Sequence, residues 1–346
     1  MSTAHPLEPL LRLAEALPLD ARWRARVDTL CEVEAEGGRW PVLAFSLGSQ
    51  AAHVPVLGVF GGVHGLERIG HELALAFCHQ LLRRLTWDGA LQHLLREMRV
   101  VVVPLVNPGG LLRGTRANPQ GVDLMRNAPV DCAEGAPWLL GGQRLGPGLP
   151  WYRGAAGAPM APEAQALCDL VERELLDARF ALALDCHSGF GLHDRLWFPH
   201  AHTTTPVATL AEFHALAGLL DDNLLHHRYV FEPQSRQYLA HGDLWDHLTL
   251  RAQARTGGTF LALTLEMGSW LWVKKNPRQL FSRHGIFNPL IEHRQHRVLR
   301  RHLGLLDFAL RATHAHAQWQ PAGAAARAQQ HALGLARWYA DGARPA

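Results

Sequence analysis

Val54-Pro55-Val56-Leu57-Gly58-Val59-Phe60-Gly61-Gly62-Val63-His64-Gly65-Leu66-Glu67 decides how the rest of the chain is read. Residues 54–60 form a short apolar run rich in β-branched side chains, the pattern of a strand. The glycines that follow break the run and let backbone approach a neighbouring group closely. A histidine and a glutamate then stand at the mouth of residues 68–85, where Ile69, Leu73, Ala76, Phe77 and Leu81 recur at helical spacing. The stretch is a strand, a turn and a helix, with two side chains able to ligate a metal in the turn.

Outward from it, the same alternation continues. Residues 40–47 and 196–198 read as strands, and 99–106, 178–186 and 258–265 as strands buried on both faces. Asn107-Pro108-Gly109-Gly110 is expected to end the strand at residues 99–106. Residues 162–176, with proline near the first turn, and 206–225 read as helices, as does most of the chain from Pro289 onward. Strands alternating with helices predict an α/β fold: a mixed, largely parallel central sheet with helices on both faces. Residues 128–161 are rich in Gly and Pro, carry Trp138 and Trp151, and lack periodicity. A loop of that length is expected to border the cleft and gate access to it. One domain is expected over residues 1–346, with a motif-bearing core at 50–290 and a helical layer at 290–346.

Composition excludes several classes. The chain has 346 residues and a net charge of +3, too weak to argue for a nucleic-acid surface. Five widely spaced cysteines form no CxxC pair, which predicts free thiols in a reducing compartment. Residues 1–22 lack the apolar core of a secretory signal, and no stretch approaches the roughly 18 apolar residues of a membrane span. The expectation is a cytoplasmic protein with no membrane or nucleic-acid partner, its oligomeric state left open.

Three islands sit where strands run out: His64-Gly65-Leu66-Glu67, His187 in Leu184-Asp185-Cys186-His187-Ser188, and Glu266 in Leu263-Thr264-Leu265-Glu266-Met267-Gly268. Open α/β sheets bind ligands at the carboxyl ends of their strands. Two imidazoles and one carboxylate are what a catalytic zinc needs if a fourth position is to stay open for water. Alone, His64-x-x-Glu67 reads as a helix-start pair with no metal; His187 and Glu266 at further strand ends turn it into a site. His71-Glu72-Leu73-Ala74-Leu75 imitates the HExxH zinc helix but carries leucine where the second ligand would be. No GxSxG elbow, P-loop or dinucleotide fingerprint is present.

With these residues goes an ordered series: Arg113-Gly-Thr-Arg116, Gly121-Val122-Asp123-Leu124-Met125-Arg126-Asn127, His187-Ser188, Tyr238-x-x-x-Gly242-x-x-x-Asp246 and Glu266. Over roughly residues 50 to 290 the chain resembles the zinc metallocarboxypeptidases of the carboxypeptidase A type. The resemblance implies one zinc ion (Zn2+) per chain on His64, Glu67 and His187, and Glu266 as general base and proton shuttle. It implies that Arg116 shares a developing oxyanion, that Arg126 helps bind a terminal carboxylate, and that Asp123 orients the His64 ring. Tyr238 is similar to the mobile tyrosine that closes over substrate, while Arg113 is the weakest correspondence. Read without the motif, Arg116 and Arg126 are surface arginines, Tyr238 a core aromatic and Asp123 a turn or cap residue. Asp243 and Trp245 fall in the stretch that walls the specificity pocket of relatives. Asp243 either meets a substrate cation or caps the helix that follows, and Trp245 would fill the pocket and admit only small residues.

Two positions depart from the family. Met125 stands where the usual Asn-Arg pair has asparagine, and a thioether donates no hydrogen bond to a carboxylate. Leu66 replaces an arginine common in digestive members. The expected activity is zinc-dependent cleavage of a C-terminal peptide bond. The alternatives are hydrolysis of N-acyl amino acids, as in the aspartoacylase and succinylglutamate desuccinylase group, and a catalytically silent metal-binding module.

Overall fold

The computed structural model describes residues 5–16 and 25–340, so residues 1–4 and 17–22 of the N-terminal reading lie outside the described residues. Eight strands form one sheet: β1 Arg26–Ala35, β2 Gly38–Gly48, β3 Val56–Gly61, β4 Arg99–Val103, β5 Phe180–Ser188, β6 Arg195–Phe198, β7 Val230–Pro233 and β8 Thr259–Met267. Their order across the sheet is β1-β2-β4-β3-β5-β8-β6-β7. The four central strands β4, β3, β5 and β8 run parallel. β2 joins β4, and β6 joins β8, antiparallel.

The helices are α1 Glu8–Ala16, α2 Arg68–Arg84, α3 Gly89–Glu97, α4 Pro108–Arg113, α5 Pro162–Glu174, α6 Leu210–Asn223, α7 Leu244–Gln253, α8 Trp270–Lys275, α9 Glu292–His314, α10 His316–Trp319 and α11 Gly323–Trp338. Period-two alternation decides which helices cover which face. Leu57, Val59, Leu182 and Leu184 pack under Leu73 and Phe77 of α2 and Leu306 and Leu310 of α9. Val56, Phe60, Ala181 and Ala183 pack on the other face with Leu167 and Val171 of α5 and Leu248 of α7. At the far end of the sheet, α11 sets Trp338 against Phe198 and Phe231, its indole Nε1 donating to the Phe231 carbonyl at 2.7 Å. The mixed, largely parallel sheet covered on both faces is therefore the one the sequence predicts.

The differences are local. β4 stops at Val103, short of the expected end at Val106, and Asn107-Pro108-Gly109-Gly110 opens α4 and does not end the strand. The Asn107 side chain accepts from Gly110 N at 2.7 Å, Pro108 occupies the first turn, and Gly114 closes the helix at φ +62°. α1, β1, α3, β7 and α8 have no counterpart in the sequence reading. β1 is an edge strand in which polar and apolar residues mix and most are partly exposed, without the apolar run that marks the central strands. All five cysteines are free thiols. Among the described residues no helix is long and apolar enough to cross a membrane.

Candidate metal centre and active site

β3 delivers Gly61, Gly62 and Val63, and His64 follows in the turn before α2. That turn is pinned against α4: a Cβ on Gly65 would stand 2.0 Å from the Gly110 carbonyl carbon, so only glycine fits. On the neighbouring strands His187 and Glu266 are register partners across β5 and β8, side by side at the carboxyl end of the sheet. His64, Glu67 and His187 are buried, and one ligand atom from each lies within 4.8 Å of the others.

The fit to a metal can be tested on this geometry. The Nδ1 of His187 is 3.3 Å from the Oε2 of Glu67. Two ligands bound about 2.1 Å from one tetrahedral zinc stand roughly 3.4 Å apart. The Nδ1 of His64 is buried with no hydrogen-bond partner, a lone pair or proton left without use unless an ion or ligand takes it. Burial, aided by the Arg116 charge, holds the His64 pKa well below its ordinary value, so the ring is neutral, as a metal ligand must be. Burial opposes a charge on Glu67, but His64, His187 and Arg116 outweigh it and hold the carboxyl below its usual range. The donor set suits zinc; burial lowers the His187 pKa, but Asp185 and then Glu67 outweigh it and hold it well above its ordinary value, so that ring releases a proton when a metal binds.

The surrounding polar groups fix these ligands. His187 Nε2 meets Asp185 Oδ2 at 2.7 Å, and the same oxygen accepts from Trp245 Nε1 at 2.8 Å. A carboxylate behind a ligating histidine sets its tautomer and orientation. Glu67 accepts from Ser188 N at 3.0 Å and from Arg116 Nη1 at 3.2 Å. Asp123 accepts from Arg116 Nε at 2.8 Å and from Met125 N at 3.1 Å, and its Oδ1 lies 3.7 Å from His64 Nδ1. It is thus both a turn cap and the partner of Arg116, but it stands too far from His64 for a hydrogen bond. Glu266 accepts from Phe190 N at 3.0 Å, and burial, then the Glu67 charge, pushes its pKa up to about 8.

These groups open onto a cleft of about 380 Å³ whose lining includes Met125, Arg126, Tyr238 and Asp243. Arg126 is buried, with Nη2 on the Tyr238 hydroxyl at 3.3 Å and Nη1 on the Met125 carbonyl at 3.2 Å; its Nε has no partner. The turn carrying Gly242 leans on the Arg126 backbone. At Gly242, φ is +70° and a Cβ would fall 1.9 Å from the Arg126 carbonyl oxygen. Asp243 caps α7 by accepting from Trp245 N and Asp246 N, and also borders the cleft. Burial first, then Asp246, raises its pKa to about 7 against the opposing pull of Arg126.

Two residues stand elsewhere than expected. Trp245 is not a wall of the cleft: it is buried against Phe60, with its indole spent on Asp185. Arg113 faces away, paired with Glu36 at 3.1 Å and with the Pro119 carbonyl at 2.8 Å. His71 is likewise taken, its Nδ1 3.0 Å from the Pro104 carbonyl oxygen. Of the 128–161 segment, Leu140 and Trp151 line the cleft while Trp138 is 80% exposed. Sequence reasoning missed Asp185, Ser188 and Phe190. Asp185 carried a usable signal, since residues two apart on a strand share a face.

Buried side chains able to hold a metal at the carboxyl ends of parallel strands, with a carboxylate beside them, define the site of this α/β fold. The chain belongs to the zinc carboxypeptidase family, whose model matches residues 35–268. No curated protein matches the chain significantly. Among solved structures it is similar to thrombin activatable fibrinolysis inhibitor, at 17% identity and a TM-score of 0.62, covering 89% of this chain and 74% of that one. It is also similar to the carboxypeptidase A of Helicoverpa armigera, at 18% identity and a TM-score of 0.54, covering 74% and 62%. At these identities the likeness is one of fold.

Proposed function

We propose that this protein is a zinc-dependent carboxypeptidase, removing single residues from peptides that end in a free carboxylate. The observation that carries the reading is the register pairing of His187 with Glu266 beside His64 and Glu67, in a cleft where Arg126 offers an unpartnered Nε. Zinc bound by His64, Glu67 and His187, one per chain, would polarise the scissile carbonyl and acidify a water.

Glu266, oriented by Phe190 N, takes the proton of the attacking water and passes it to the leaving amine. Arg116, held by Asp123 and Glu67, presents its guanidinium charge to the oxygen that becomes negative. Arg126 receives the terminal carboxylate, and the Tyr238 hydroxyl it already touches closes over the bound residue. Asp243 sits within reach of that residue's side chain while its oxygens cap α7, which supports a modest preference for basic over acidic residues. Free cysteines throughout support a reducing, cytoplasmic location.

Met125 favours a second reading. It lies in the cleft beside Arg126 where a donor would strengthen carboxylate binding, so hydrolysis of N-acyl amino acids fits the same centre. Mass spectrometry on zinc-loaded protein separates the two. The panel holds peptides with free and amidated C-termini beside N-acyl amino acids, with Glu266→Gln as control. Loss of single residues only from free-acid peptides is the expected result. Cleavage of N-acyl amino acids in their place would replace the first reading by the second.

A further inference from the structure

Residues 270–301 carry eight Lys and Arg side chains and a single carboxylate, Glu292. That is +7 within a chain of net +3, which leaves −4 for the remainder. Lys274 and Lys275, the chain's only lysines, are among them. The segment folds as α8, the turns that follow it, and the first part of α9.

Between α8 and α9 lies a pit of about 220 Å³ lined by Lys275, His293, Arg294, Arg297 and Arg301, with Asp194 as its one acid. Asp194 is already occupied: Oδ2 pairs with Arg301 at 2.6 Å and Oδ1 accepts from Gly268 N at 3.0 Å. Lys275, Arg294 and Arg297 have no ion pair and no side-chain hydrogen bond among the described residues, and Arg294 Nη1 is buried without an acceptor. Like charges gathered around a concavity repel one another, and a buried N–H without an acceptor is destabilising. A bound anion removes both penalties at once.

We propose that this pit binds the phosphate group of an anionic ligand. Three unneutralised cations suit a group carrying nearly two negative charges and three or more acceptor oxygens better than a carboxylate with one charge and two oxygens. The pit is separate from the catalytic cleft: Trp270 at the start of α8 lines the cleft, while Lys275 at its end lines the pit. The phosphate has two possible sources, a soluble ion or a lipid headgroup. Phe281 is 93% exposed and Leu280 56%, on a short turn that also carries Arg278. Apolar side chains standing out beside cations are what an anionic bilayer surface engages.

The test is calorimetric titration of the zinc-loaded protein with inorganic phosphate, alongside sedimentation with phosphatidylcholine vesicles made with and without phosphatidic acid. One phosphate site is expected beyond any that the cleft supplies, weakened at least tenfold in Lys275→Glu/Arg297→Glu and retained in Arg126→Ala, which removes the cleft's own capture of an anion. Should the double reversal fail to fold, Lys275→Gln/Arg297→Gln replaces it, with the same direction expected. Phosphate binding without vesicle binding assigns the pit to a soluble anion. Binding to phosphatidic acid vesicles, lost in the double variant and reduced in Phe281→Ser, assigns it to a lipid headgroup. If neither probe binds, or the double variant binds both as the parent does, the proposal is overturned.

Discussion

His64, Glu67, His187 and Glu266 hang from the ends of buried parallel strands or the turn just beyond one, whereas Arg126, Tyr238, Leu140 and Trp151 come from turns and from the 128–161 segment. The first wall is built where backbone cannot shift: every residue of β5 is buried, and β8 is its hydrogen-bonded neighbour. The second wall is tied down at single points, such as the close approach of Gly242 to Arg126. Groups that must keep a fixed mutual geometry sit on the sheet, and groups that meet the variable part of a substrate sit on loops.

Substitutions on the two walls should fail in different ways. Glu266→Gln should lower kcat/KM by on the order of 10³-fold or more with zinc content unchanged, measured by steady-state kinetics beside metal analysis. If zinc is lost as well, Glu266 belongs to the ligand set. Arg116→Ala should cost about 10²–10³ in kcat with a smaller effect on KM. An effect confined to KM would move Arg116 to the binding wall. Asp185→Asn should leave the fold intact and weaken zinc affinity about 10–100-fold, as read by competition with a chelator; unchanged affinity would show that the strand alone orients His187. On the loop wall, Trp151→Ala should change KM for the larger peptides by less than about tenfold and leave kcat alone.

A further effect, away from both walls, concerns stability. Burial lowers the His302 pKa to about 4, with Asp194 opposing, and its Nδ1 lies 3.0 Å from the Tyr229 hydroxyl. The folded state therefore holds the ring neutral while the unfolded chain protonates it near pH 6.5. The unfolded state binds more protons between these values, so stability is intact above about pH 6.5 and falls as pH drops toward 4, by as much as about 3 kcal/mol. Denaturant midpoints at pH 7 and pH 4.5 should show a steeper loss for the parent than for His302→Gln.

What could be read in the sequence follows the same division. The central strands and α2 announce themselves through uninterrupted apolar runs and helical spacing, and with them the positions of His64, Glu67, His187 and Glu266. β1 does not, because an edge strand half open to solvent needs no such run. α4 does not, because Pro and two glycines signal a break, while the Asn107 cap that turns the break into a helix start shows only when Gly110 is placed beside it. Asp185 is legible in principle, as the one acid in an apolar strand, two residues before His187 on the same face. Trp245 illustrates the limit of reading by correspondence. A position that walls the pocket of relatives here carries a side chain long enough to turn inward, and its indole N–H finds an acid two residues from a ligand.

The pairing of His187 with Glu266 has a consequence for anyone wishing to rebuild this centre. Because the two are opposite one another in adjoining parallel strands, an insertion of one residue in either strand would send one of them to the other side of the sheet. Deleting or adding a residue in the 128–161 segment carries no such penalty. A transplant to a different scaffold therefore needs three neighbouring parallel strands in the right stagger, one glycine turn, and the Tyr152 and Arg153 contacts that hold Asp123, Arg126 and Asn127.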